Sequence, residues 1–365
     1  MNHDYILRKQ ELMMLFNALL FAGHNKNIVF SVPFLNDLVL FKININSLDI
    51  NIFDFITIDI YNKNKIFFDK KNQRVKNEIP DYEHIKHTLF QSGILKPDGL
   101  KHLENIIDNI SSQNITQGGD IFCIALDTNL LRDRFFSTFL LNFTSIKNLD
   151  FVLCETVRDE LKNRKDKISK NLLKDFGSYL FYELEKTFLN QNCLEDRLRY
   201  IGFIEYIKMR KNTCCEEIET QSTKSGTKND QIILEAYSNY VDIGKKIIFI
   251  SRDNEAVRMM AGEDNVIPVL LEHSYSYQNS FNVNWNNFFE LLYLLAVIFG
   301  KINLIINQKN TASIKGVWKG KDVHEWENNL SLIEIIDSKN DQIIQNNCKM
   351  IVDYLDKNIS ILQKL

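Results

Sequence analysis

The sequence predicts an α/β protein. Its middle is a parallel sheet flanked by helices, with an N-terminal α+β domain before it and a C-terminal α/β extension after it. Three observations predict this. Between about 119 and 272, short apolar runs alternate with helical runs, the mark of repeated β-α units. The chain has 365 residues, more than one ordinary domain. The texture changes at "SSQNITQGGD" (111–120), a polar, Gly-containing linker, and again near 273, where a strongly apolar helix begins.

The first domain spans 1–115. A helix is predicted over roughly 5–22. "NIVFSV", "DLVLFKININ" and "FDFITIDIYN" read as strands, because apolar residues alternate or run on. "YEHIKHTLFQ" and "LKHLENIIDNI" read as helices separated by the turn "SGILKPDG". His84 and His87 lie one helical turn apart; with no third ligand near in sequence, they read as a solvated helix face rather than a metal site.

In the middle domain, 119–272, strand "IFCIAL" leads into a helix near "TNLLRDRFFSTFL". Strand "LDFVLC" leads into "ETVRDELKNRKDK". A helical insertion follows at about 168–212. After the polar loop "ETQSTKSGTK", helix "NDQIILEAYSNYV" precedes strand "KKIIFIS", then "RDNEAVRMMAG" and strand "NVIPVLL". The last segment, 273–365, holds the helix "WNNFFELLYLLAVIFG", two or three short strands and a closing helix from about 340.

Composition narrows the function. Hydrophobic residues make up 45% and charged residues 25%, as in soluble globular proteins, and no stretch reads as a membrane span. A net charge of −3 argues against a protein that coats nucleic acid indiscriminately, but not against one with a local basic groove. None of the six cysteines forms a CxxC pair, so no zinc knuckle is indicated; Cys123 and Cys154 read as core residues. A reducing, cytoplasmic location fits this usage.

Ligands of open α/β sheets bind beyond the carboxyl ends of the strands. Asp127 ends the strand "IFCIAL", and Asp253 follows "KKIIFIS" by two positions. In the helix after Cys154, Val157, Leu161 and Ile168 form the apolar stripe. Glu160 lies roughly 80° from its centre and Asp159 nearly opposite, at ~100° per residue. In the helix from Asn229, Asp230 lies roughly 70° from the stripe of Ile233, Ala236, Tyr237 and Tyr240, whereas Glu235 faces solvent. Each acid alone has a plain structural role, as a helix N-cap or a solvated charge. Four around one sheet edge would repel one another unless a cation intervened. An all-oxygen set without Cys or His suits Mg²⁺ or Mn²⁺ rather than zinc.

These residues resemble the PIN domain, a family of metal-dependent nucleases acting mainly on RNA. The resemblance rests on "ALDTNLL" (Asp127, Thr128, Asn129), "TVRDELKNR" (Glu160), "TKNDQIILEAY" (Asp230) and "FISRDNEAV" (Ser251, Asp253), in the family's order. It covers about 120–272 and implies a PIN-like parallel sheet. It also implies that Asp127, Glu160, Asp230 and Asp253 bind the metal and carry catalysis, with Asn129 and Ser251 orienting them. The expected activity is hydrolysis of RNA phosphodiesters. The interval of about 70 residues between Glu160 and Asp230, and the flanking domains, point to a larger processing or surveillance nuclease rather than a small toxin.

Arg164, Lys165 and Lys228 are candidate RNA phosphate contacts. Trp318 and Trp326, beside Lys319 and Lys321, read as structural aromatics of a small β-unit rather than a stacking platform. The competing reading is a catalytically silent PIN-fold RNA-binding or scaffold protein. A homo-oligomer is compatible with the sequence.

Overall fold

A computed structural model describes residues 3–21, 23–24, 26–71, 73–113, 119–162, 193–220, 229–241, 245–316 and 330–335, with four single positions after 345. The chain divides into two compact units. Unit 1 takes Met1–Ile94, Asp166–Arg197 and Ser276–Leu365; unit 2 takes Leu95–Lys165 and Leu198–Tyr275. Among the described residues, no helix is long and apolar enough to cross a membrane.

Unit 1 is built on an antiparallel sheet. Its strands are β1 (His3–Arg8), β2 (Ile28–Val32), β3 (Leu38–Ile45), β4 (Ile50–Phe53), β10 (Phe281–Val283), β11 (Lys301–Ile306), β12 (Lys309–Gly316) and β13 (Leu330–Ile335). The order is β1-β13-β12-β11-β2-β3-β4-β10. The segments expected as separate first and last domains thus contribute to one sheet. Helices α1 (Lys9–Phe21), α2 (Ile58–Lys71), α3 (Tyr82–Gln91) and α10 (Trp285–Phe299) belong to this unit. The Phe16 ring packs edge-on against Phe288 and Phe289, which joins α1 to α10.

Three local expectations change here. The helix expected over 5–22 begins only at Lys9. Before it, Leu7 is buried between exposed Ile6 and Arg8, a strand alternation, and β1 pairs with β13 more than three hundred residues away. "FDFITIDIYN" is not one strand. β4 stops at Phe53 and α2 starts at Ile58, with Tyr61, Lys65 and Phe68 buried at helical spacing. His84 does not sit on a solvated face: its Nδ1 accepts the Asp81 amide in a capping box, and burial lowers its pKa.

Unit 2 carries the parallel sheet: β5 (Phe122–Leu126), β6 (Leu149–Cys154), β7 (Cys215–Ile218), β8 (Lys246–Ser251) and β9 (Val266–Leu270). The order is β7-β6-β5-β8-β9, and every neighbouring pair is parallel. All five residues of β5 are buried, as a strand covered on both faces requires. Each fully buried Leu, Ile or Phe contributes about 1.5–3 kcal/mol. The flanking helices are α4 (Leu100–Ser111), α5 (Thr128–Arg132), α6 (Glu155–Lys162), α7 (Leu194–Asn212, from Leu198 onward), α8 (Asn229–Val241) and α9 (Asn254–Met260). Leu100, Leu103, Ile107 and Ile110 of α4 join this core, so a helix expected in the first domain belongs here.

The helix expected over "TNLLRDRFFSTFL" is broken. Arg134 takes a left-handed conformation (φ 57°), and Phe136–Leu140 forms a wider π-helical stretch. Of the predicted insertion at 168–212, only the part from Cys193 onward is described. Arg164, Lys165, Lys228, Trp318, Lys319, Lys321 and Trp326 lie outside the described residues.

Candidate active site

The strand order of unit 2 reverses between β5 and β8: the chain builds outward through β6 and β7, then returns to add β8 and β9 on the other side. Such a switch point opens a crevice at the carboxyl ends of the strands. Asp127 follows β5 and Ser251 ends β8, so the two are neighbours at this edge of the sheet. The Asp127 amide donates to the Ile250 carbonyl at 3.2 Å, and Ser251 Oγ donates to Asp127 Oδ2 at 2.8 Å. Asn129 Nδ2 approaches the same oxygen at 3.4 Å.

Asp127 stands at the N-cap position of α5, yet its side chain makes no capping hydrogen bond there. Burial pushes its carboxyl pKa up, and the negative charges of Asp230 and Glu160 push it further. The Ser251 hydroxyl and the Thr128 amide pull the other way. Three of the four predicted acids therefore share one electrostatic neighbourhood.

Glu160 is half-buried on α6. Its Oε2 accepts Thr128 Oγ1 at 2.6 Å, and its Oε1 accepts Asn229 Nδ2 at 2.9 Å. The carboxylate is thus held between the start of α5 and the start of α8. Asp159 beside it is exposed and pairs with Arg158. Asp230 lies exposed in the first turn of α8.

Asp253 has a different local role. It is the N-cap of α9, and its Oδ1 accepts the amides of Glu255 (2.7 Å) and Ala256 (3.4 Å). Its own amide donates to Ser251 Oγ at 2.9 Å. One fully buried hydroxyl therefore links the strand-end acid to the capping acid.

Two packing features hold these elements in register. The buried Tyr237 hydroxyl donates to the Leu126 carbonyl (3.0 Å) and accepts the Cys154 amide (3.2 Å), tying together the ends of β5 and β6 just before Asp127 and Glu155. Gly202 of α7 lies so close to α6 and α5 that an added Cβ would stand 2.7 Å from Leu161 Cδ2 and 3.1 Å from Arg132 Cγ. A larger residue there would force the Leu161 side chain beside Glu160 to move.

The donor set is all oxygen, the chemistry of a hard cation. Asp127 Oδ1 accepts no side-chain hydrogen bond among the described residues. Among those residues, no three of His, Cys, Asp and Glu are gathered closely enough to hold one ion directly. Mg²⁺ usually keeps several waters and takes one or two protein carboxylates. The donor chemistry suits such an ion, with Asp127 as the residue that would hold it.

No family model matches the chain, and no curated protein and no solved structure matches it.

Sequence reasoning did not single out a second group at this edge. Asp133, at the far end of α5, is buried, and Arg252 Nη1 donates to its Oδ2 at 2.7 Å. His273 Nε2 lies 3.7 Å from the same oxygen. Burial pushes the Asp133 carboxyl up to about 6, against the opposing pull of Arg252. An acid six positions after Asp127 and an Arg inside "SRD" were the available signals. Neither shows its partner, because the pair is joined only by the adjacency of β5 and β8.

Proposed function

We propose that unit 2 is a metal-dependent ribonuclease of the PIN type, hydrolysing RNA phosphodiester bonds at the carboxyl edge of its parallel sheet. One observation carries this reading. Asp127 sits at the switch point, half-buried, with both side-chain donors on one of its oxygens and two further carboxylates near enough to raise its pKa. A cation would relieve that repulsion, so the arrangement favours binding Mg²⁺ or Mn²⁺. When bound, such an ion supplies an activated water and offsets charge on the phosphodiester.

The chain's own residues divide the remaining work. Asp127 would carry the ion. Ser251 and Asn129 fix the rotamer of Asp127, and Thr128 and Asn229 fix that of Glu160. Glu160, Asp230 and Asp253 supply negative potential and acceptors for ordered water. RNA as substrate, and a cytoplasmic setting, follow from the resemblance and the cysteine usage.

A silent, RNA-binding variant of the fold is the second reading. It is favoured by two details: both Glu160 oxygens are already engaged, and Asp253 Oδ1 is occupied by capping. The test is incubation of the purified protein with single-stranded and structured RNAs in Mn²⁺. The nuclease reading predicts cleavage by wild type and none by Asp127→Asn. Equal cleavage by the two proteins would overturn it, and RNA binding without cleavage would favour the silent form.

A further inference from the structure

We infer that Arg252 is a phosphate-binding residue at this edge, positioned by buried Asp133, and that its ligand is the backbone of a nucleic-acid strand. The inference deepens the nuclease reading and rests on it for the identity of that strand.

Arg252 lies between Ser251, which bonds Asp127, and Asp253, which caps α9. Ser251 and Arg252 therefore stitch the end of β8 to both ends of α5, one through Asp127 and the other through Asp133. A polyanion approaching Asp127, Glu160, Asp230 and Asp253 meets a negative field. A cation close to those acids offsets that field, and the backbone places Arg252 beside them, between Ser251 and Asp253.

Two other arginines show what purely structural roles look like in this protein. Arg197 is wholly buried, with its guanidinium spent on the carbonyls of Val297, Ile298 and Glu78. Arg158 is 28% exposed but surrounded by Glu155, Asp159 and Glu217. Arg252 is 25% exposed, much like Arg158, yet only its Nη1 is engaged among the described residues, and by one carboxylate. Its other N–H groups remain available. A guanidinium anchored by one arm presents a fixed fork to a phosphate, with little side-chain entropy left to lose.

The burial of Asp133 supports the same role. A buried carboxylate is costly unless paired, so it holds the guanidinium strongly and does not compete for solvent cations. Asp133 is a positioning residue in this scheme; Arg252 touches the ligand.

The experiment is fluorescence anisotropy of a labelled single-stranded RNA in EDTA, where cleavage is blocked and binding is read alone. Arg252→Gln should weaken binding about ten-fold at low salt and flatten the log-affinity against log-salt slope by about 0.7. Arg252→Lys should recover part of the affinity, because the charge is kept. The double variant Asp133→Asn/Arg252→Gln removes the buried unpaired charge and guards against simple unfolding; it should show the same binding loss with a near-normal melting temperature. Unchanged affinity in the double variant, or no RNA binding by wild type, would overturn the inference. The two proposals separate cleanly. Cleavage by wild type with unaltered binding by Arg252→Gln defeats this inference alone. Binding loss in Arg252→Gln, with no cleavage by wild type in Mn²⁺, defeats the nuclease reading alone.

Discussion

Ser251 Oγ donates to Asp127 Oδ2 at 2.8 Å, bridging the strands between which the sheet order of unit 2 reverses. The same hydroxyl accepts the Asp253 amide. Ser251→Ala removes both interactions and leaves a backbone N–H without its acceptor. The expected cost is about 1–3 kcal/mol in urea unfolding. The lost bond favoured the charged form of Asp127, so its pKa rises further, and the acidic limb of the cleavage pH profile should move to higher pH.

Asp253 serves as a cap, and under the proposed function it also faces the metal. Two substitutions separate these roles. Asp253→Ala should lower stability by about 1 kcal/mol through loss of the N-cap. Asp253→Asn keeps the cap but loses the charge. It should melt like wild type yet cleave more slowly. Normal cleavage by Asp253→Asn would confine the residue to capping.

Asp133 sets a pH dependence of stability. Its folded pKa, about 6, lies above its ordinary value of 3.8. Below about 3.8 the group is protonated in both folded and unfolded chains and imposes no penalty. As pH rises through 3.8 to about 6, the unfolded chain gives up its proton first, so the folded state loses relative stability. Unfolding free energies measured across this window should fall less steeply for Asp133→Asn than for wild type.

Tyr237→Phe tests the tie between β5 and β6. It leaves the Leu126 carbonyl and the Cys154 amide without their hydroxyl partner in a buried setting. A loss of about 1–3 kcal/mol is expected, read as a lower denaturant midpoint with an unchanged slope.

The parallel sheet was legible because its strands are short, continuous apolar runs followed by helical periodicity. Asp127 was legible because it ends such a run. Helical angles separated Glu160 from Asp159, and the two do differ: one is half-buried, the other exposed. Local pattern could not show β1, whose partner β13 lies at the other end of the chain, nor that "FDFITIDIYN" turns helical after Phe53. In α2 the exposed Ile58 and Ile60 mimic a strand alternation, while Tyr61, Lys65 and Phe68 set the buried face. The division of acidic roles was equally hidden. Asp127 and Asp253 both follow strands, yet only the Asp253 side chain accepts capping hydrogen bonds, a difference that spacing does not encode.

A crystal soaked in Mn²⁺ tests the central claim most directly, because it asks whether Asp127 carries an ion. The account predicts an anomalous peak at about 2.0–2.3 Å from an Asp127 oxygen, with Glu160, Asp230 or Asp253 joined to it directly or through water. Full Mn²⁺ occupancy elsewhere on unit 2, with none beside Asp127, would contradict it.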